Sequence, residues 1–114
     1  MNFANAKDFG FEVHFENCNL DYASFDKKKM NSSTFKACKI HNGNFTQADL
    51  SKSKLDNCDF YEALFSNTNL SGVDLRSCHN FIIDPELNKI RRAKFMLSSL
   101  PSLLQRYEII VENS

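Results

Sequence analysis

Glycine is scarce, charge is balanced and long apolar runs are missing from this chain of 114 residues. With glycine only at Gly10, Gly43 and Gly72, the chain has no glycine-rich phosphate loop, which excludes the common nucleotide-binding motifs. Lysine and arginine number 14, as do aspartate and glutamate, so the net charge is zero, which argues against a wholly cationic or wholly anionic surface. No apolar stretch reaches about 18 residues, so no membrane helix is indicated. No charged segment followed by an apolar one opens the chain, so no signal peptide is indicated either. A soluble, cytoplasmic, single domain spanning residues 1–114 is the expectation.

What is present is a period of five. Phe15, Leu20, Phe25, Met30, Phe35, Ile40, Phe45, Leu50, Leu55, Phe60, Phe65, Leu70 and Leu75 form thirteen consecutive centres in one register. Five residues advance a helix by about 500°, and in a flat strand they land on opposite faces, so neither element keeps these centres together. They can share one core only if the chain bends once per repeat. Cys18, Cys38, Cys58 and Cys78 then supply a second period of 20, or four repeats. The simplest coil has four sides and rises about 4.8 Å per turn if its backbones pair as parallel strands. Positions two before each centre are small in twelve of thirteen cases, as a crowded inward corner demands. The exception is Lys28, for which a bulge at Lys27–Lys29 or an outward-reaching ammonium is expected.

The segments CNLDY (18–22), ADLSK (48–52), CDFYE (58–62), TNLSG (68–72) and VDLRS (73–77) resemble the pentapeptide-repeat family, and the likeness is tight over residues 13–77. Lys29, Lys39, Lys54 and Leu64 stand where that family usually has Asp or Asn. The resemblance implies a right-handed quadrilateral β-helix. The expected fold is therefore all-β, a solenoid of about four coils with a short C-terminal helical cap. Its core should hold a phenylalanine column (Phe25, Phe45, Phe65), an aliphatic column (Met30, Leu50, Leu70) and a thiol column.

Residues 1–12 read as an N-terminal cap, 13–77 as regular repeats, and 78–100 as an irregular segment with a last partial coil. Phe81, Ile82 and Ile83 are expected to fold over the core, and the register returns at Ile90, Phe95 and Leu100. Residues 101–114 read as a helix followed by a strand. Pro101 suits a helix start, Leu103, Leu104 and Tyr107 share a helical face, and Ile109, Ile110 and Val111 form a β-branched run. This segment would cap the open end, and in the family it commonly mediates dimerisation, so these six residues are the candidate cap or homodimer interface.

Chemistry is sparse. The cysteine spacing is accounted for by an inward column whose parallel Cβ vectors disfavour bridging, so reduced thiols are expected. Cys38 points inward and His41 outward, so CKIH (38–41) is no metal site. Catalysis needs a concave pocket, which a filled solenoid lacks, so neither enzyme activity nor a cofactor is expected. Asp21, Tyr22, Asp59, Tyr61 and Glu62 share one outer face and form the candidate partner surface. A second face is basic, with Lys29, Lys52, Lys89, Arg91 and Arg92 against Asp49. Direct nucleic-acid binding through KIRRAK (89–94) lacks interleaved aromatics.

The function these readings favour is a non-enzymatic protein-interaction scaffold. The alternative comes from the resemblance alone: a duplex-DNA mimic that modulates DNA gyrase or topoisomerase IV and protects it from quinolones. A duplex carries one negative charge per about 1.7 Å, and no continuous acidic stripe lies on any face.

Overall fold

The computed structural model describes residues 12–30 and 32–112, so all but Glu12 of the expected N-terminal cap lies outside the described residues. Three short strands, β1 (His14–Glu16), β2 (Thr34–Lys36) and β3 (Lys54–Asp56), pair in parallel in that order. Phe15 faces Phe35 and Phe35 faces Leu55, a register of 20 residues. The same register recurs on three more ladders of isolated parallel bridges: Asn19, Lys39, Asp59 and His79; Ser24, Asn44 and Leu64; Lys29, Asp49, Asn69 and Lys89. The chain is a parallel β-helix whose consecutive turns are 20 residues apart.

Each repeat position has a local cause. An Asp or Asn just before the centre accepts the N–H of the residue two further on, as Asn44 does from Thr46 (3.0 Å), Asp49 from Ser51 (3.0 Å) and Asn69 from Ser71 (3.1 Å). Where Asp or Asn precedes the centre, this side chain-to-backbone turn makes the bend with little glycine. Two residues after the centre the backbone enters the left-handed region, at Asn17, Asn42, Asn57 and Asn67 among others, a conformation asparagine tolerates.

The small inward position also carries a donor. Thr68 Oγ1 donates to the Phe45 carbonyl (2.7 Å), Cys58 Sγ to Phe35 (3.2 Å) and Cys78 Sγ to Leu55 (3.3 Å), each reaching the centre one turn below. Ser53 Oγ does the same to Met30. Small polar residues there satisfy buried carbonyls as well as fitting the space.

The centres from Leu20 to Leu75 are 0–5 % exposed, whereas Phe15 and Cys18 in the first described turn are half-buried. Phe25, Phe45 and Phe65 stack at 5.3 and 5.2 Å, with planes 16° and 6° apart. Met30, Leu50 and Leu70 are fully buried beside them.

Lys28 corrects the sequence expectation. No bulge forms at Lys27–Lys29: Lys28 N–H donates to Phe25 O (3.1 Å), Asp49 N–H to Lys28 O (2.9 Å) and Met30 N–H to Asp49 O (2.8 Å). The side chain does not snorkel either, since Lys28 is 1 % exposed. A bulge would forfeit ladder hydrogen bonds on both sides. No buried side-chain nitrogen or oxygen among the described residues lacks a hydrogen-bond partner, which is the condition for enclosing an ammonium.

The tail follows the expectation in part. Phe81 and Ile83 are buried at 2 % and 0 %, while Ile82 faces solvent. The last partial coil is built by Lys89 pairing with Asn69 and Lys94 with Asp74, although Leu100 is exposed. The expected helix starting at Pro101 is instead a 3-10 helix over Leu97–Leu103 with Pro101 inside it, and a second one covers Gln105–Tyr107. The expected strand over 108–112 is absent. Glu108 sits in the left-handed region (φ 51°), which turns the chain before the β-branched run can pair.

Candidate functional site

The face over Leu20, Ile40 and Phe60 gathers the candidate partner residues. Lys39 Nζ lies 3.2 Å from Asp21 Oδ2, and the His41 N–H donates to Asp21 Oδ1 (3.0 Å). His41 Nε2 is 2.7 Å from Asp59 Oδ2 and its ring meets Tyr61 edge-on at 5.6 Å. Asp59 Oδ1 also accepts Asn80 Nδ2–H (2.9 Å) and the Tyr61 N–H (3.2 Å). Burial pushes the Asp59 carboxyl up, but the hydrogen bonds from His41, Asn80 and the Tyr61 amide outweigh it and hold it below the usual value. Asp21 follows the same pattern: burial raises it, and the His41 amide with Lys39 lowers it further than that.

The ladder therefore brings Asp21, Lys39, His41, Asp59 and Tyr61 together through contacts between consecutive turns. Tyr22 is 71 % and Tyr61 52 % exposed, and Glu62 projects to solvent. Asn80 joins this candidate face through Asp59 and was not legible in the sequence, because it stands where the five-residue register breaks.

A second cluster lies at the C-terminal end. Leu103 packs against the core, Leu104 is half-buried, and Tyr107, Ile109, Ile110 and Val111 are exposed. Arg106 reaches Asp84 (3.4 Å) and Glu86 (3.3 Å), and the Tyr107 hydroxyl donates to Glu86. With the Ile83 N–H on the Ser102 carbonyl (3.2 Å), these contacts latch the 3-10 segment to the irregular loop. The opposite charges were readable, but the loop that joins them has no period to predict their meeting. A shallow recess of about 310 Å³ opens here among Pro101, Leu104, Gln105, Glu108, Ile109 and Val111.

The thiols are free and donate to carbonyls. Burial pushes the Cys38 thiol up, and Cys58 is raised by the adjacent Cys78 thiol and by burial. Among the described residues no three His, Cys, Asp or Glu side chains converge in a metal-binding arrangement, and no helix is long and apolar enough to cross a membrane.

A family model described as "pentapeptide repeat region" matches residues 10–80. No curated protein matches the chain significantly. Among solved structures, HetL, a pentapeptide repeat protein involved in heterocyst differentiation regulation in the cyanobacterium Nostoc, aligns with a TM-score of 0.60 at 16 % identity, over 67 % of this chain and 35 % of HetL. The chain thus spans about a third of HetL's length. QnrB1, a plasmid-mediated fluoroquinolone resistance protein, aligns at 0.39 and 15 % identity, over 87 % of this chain and 68 % of that one. Rfr23, a pentapeptide repeat protein of the cyanobacterium Cyanothece, aligns at 0.37 and 17 % identity, over 74 % and 57 % of the two chains. At such identities the HetL likeness speaks to fold alone. With the family model covering most of the chain and the 20-residue parallel register observed directly, this protein belongs to the pentapeptide-repeat family.

Proposed function

We propose that the chain is a non-enzymatic scaffold that recognises a protein partner through its flat faces. Its frame is a right-handed quadrilateral solenoid of about four coils, closed at the C-terminal end by the latched 3-10 segment. The observation that carries this reading is the filled interior: among the described residues the centres from Leu20 to Leu75 are buried side by side, while outward side chains repeat at a pitch of about 4.8 Å. A homodimer through Tyr107, Ile109, Ile110 and Val111 accords with their exposure. A cytosolic location accords with the unbridged thiols.

The alternative, modulation of a type II topoisomerase by duplex mimicry, would use the carboxylates of the Leu20, Ile40 and Phe60 face. Lys39 offsets the charge of Asp21, and His41 and Asn80 engage both oxygens of Asp59, which weakens that reading because a mimic must display its carboxylates. Cross-linking in the host followed by capture should yield a specific protein partner, and capture of none would end the scaffold reading. A gyrase supercoiling assay with a quinolone should show neither protection nor inhibition at micromolar excess. Protection would favour mimicry instead.

A further inference from the structure

The ion pairs among the described residues avoid one region. They join Glu12 to His14, Glu16 to Lys36, Asp21 to Lys39, Asp59 to His41, Asp74 to Arg76, and Asp84 and Glu86 to Arg106. None involves Lys29, Lys52, Lys89, Arg91 or Arg92, all exposed on the face over Met30, Leu50, Leu70 and Ile90 and the corner that follows it. The one carboxylate of that ladder, Asp49, is half-buried and spends an oxygen on the Ser51 N–H (3.0 Å). The chain is neutral overall, yet among the described residues these five exposed cations without an ion pair share one side, while Lys27, Lys54 and Lys94 stand apart from them.

The same corner has a shape. Lys52, Gly72 and Arg92 follow one another at steps of 20 residues, so they are stacked about 4.8 Å apart. Gly72 places no side chain between the two cations, and a Cβ built there would meet nothing closer than the Ser51 carbonyl at 3.9 Å. The result is a shallow recess of about 360 Å³ lined by Ser71, Gly72, Arg91 and Arg92. Paired arginines above a bare backbone floor suit a carboxylate, which two guanidinium forks can hold bidentately.

We propose that this basic corner is the docking surface for an acidic segment of a protein partner, with a carboxylate seated in the Gly72 recess. The proposal rests on the scaffold reading and names the face and the chemistry of the partner. Single-stranded nucleic acid is disfavoured because the exposed Tyr22 and Tyr61 sit on a different face, leaving no stacking platform here. A flat wall also offers no helix or ribbon to enter a duplex groove.

The test is fluorescence anisotropy of the full chain with a labelled deca-glutamate peptide at low salt. The wild type should bind, and affinity should fall with added salt, since the Debye length shortens below about 10 Å above 0.1 M. The R91E/R92E variant should lose about tenfold or more in affinity at an unchanged melting temperature. Gly72→Asn, whose side chain fits the left-handed backbone, should weaken binding without altering charge by filling the recess. A Y22S/Y61S variant should bind as the wild type does. Absence of peptide binding, equal binding by R91E/R92E or by Gly72→Asn, or tighter binding of a duplex oligonucleotide or a phosphatidylserine vesicle would each overturn the proposal. If R91E/R92E still captures the wild-type partner in the host, the basic corner falls while the scaffold stands. If the wild type captures nothing, the scaffold itself falls.

Discussion

Phe45 should be the most expensive single side chain to truncate. It is fully buried, stacked between Phe25 at 5.3 Å and Phe65 at 5.2 Å, and meets Phe60 edge-on at 5.8 Å. Removing its ring costs about 2–3 kcal/mol in lost transfer free energy. A cavity term is added because the rings above and below are carried on backbone ladders that cannot close the gap. The Phe45→Ala loss should therefore approach about 4 kcal/mol, a large share of the 5–15 kcal/mol typical of a domain. With a urea slope of about 2 kcal/mol/M, the unfolding midpoint should fall by about 2 M. Phe45→Leu, which retains much of the volume, should lose about 1.5 kcal/mol. Tyr61→Ala on the outer face should stay within about 0.5 kcal/mol. A midpoint shift for Phe45→Ala no larger than that for Tyr61→Ala would refute the stacked core.

Gly43→Ala should destabilise by about 1–3 kcal/mol in thermal melts, because the new Cβ would fall 2.6 Å from Ile40 Cγ2 inside the packed interior. Asp21 and Asp59 have carboxyls held below the usual aspartate value, and Asp74, drawn down by the Arg76 side chain, lies at about 2. The unfolded chain then binds more protons, so stability should be full above about pH 4 and fall as pH drops through the folded values; Asp59→Asn should flatten that slope in an acid titration. A thiol reagent should modify Cys18 first in the native protein, because Cys38, Cys58 and Cys78 are buried, and should count four thiols after unfolding without reductant.

The two periods carried most of the architecture. An inward or outward assignment follows for nearly every residue from 13 to 77, because a chain that must bend every five residues and pair every 20 has little freedom left. Phe25, Phe45 and Phe65 stack as that spacing requires. Lys28 is the exception: its charge alone favours a bulge, whereas the ladder bonds that hold it in register, Asp49 N–H to Lys28 O and Met30 N–H to Asp49 O, exist only once neighbouring turns stack. The C-terminal segment failed for a related reason, since Pro101 and a β-branched run state only local preferences and the latch to Asp84 and Glu86 overrides them.

The candidate faces divide the same way. The outward charges are assignable to faces from sequence, which places Asp21, Asp59 and Glu62 on one face and Lys29, Lys52, Lys89, Arg91 and Arg92 on another. Only the tertiary structure decided which charges are spent, because an ion pair between residues about 20 apart exists only when stacked turns bring their heads within a few ångströms. Asp21 is paired with Lys39 and Asp59 is hydrogen-bonded to His41, whereas Lys52, Arg91 and Arg92 have no ion-pair partner among the described residues. Sequence alone determined a neutral repeat with an inside and an outside, and packing between turns determined which outward charges are paired off and which, such as those of Lys52, Arg91 and Arg92, are left without an ion pair among the described residues.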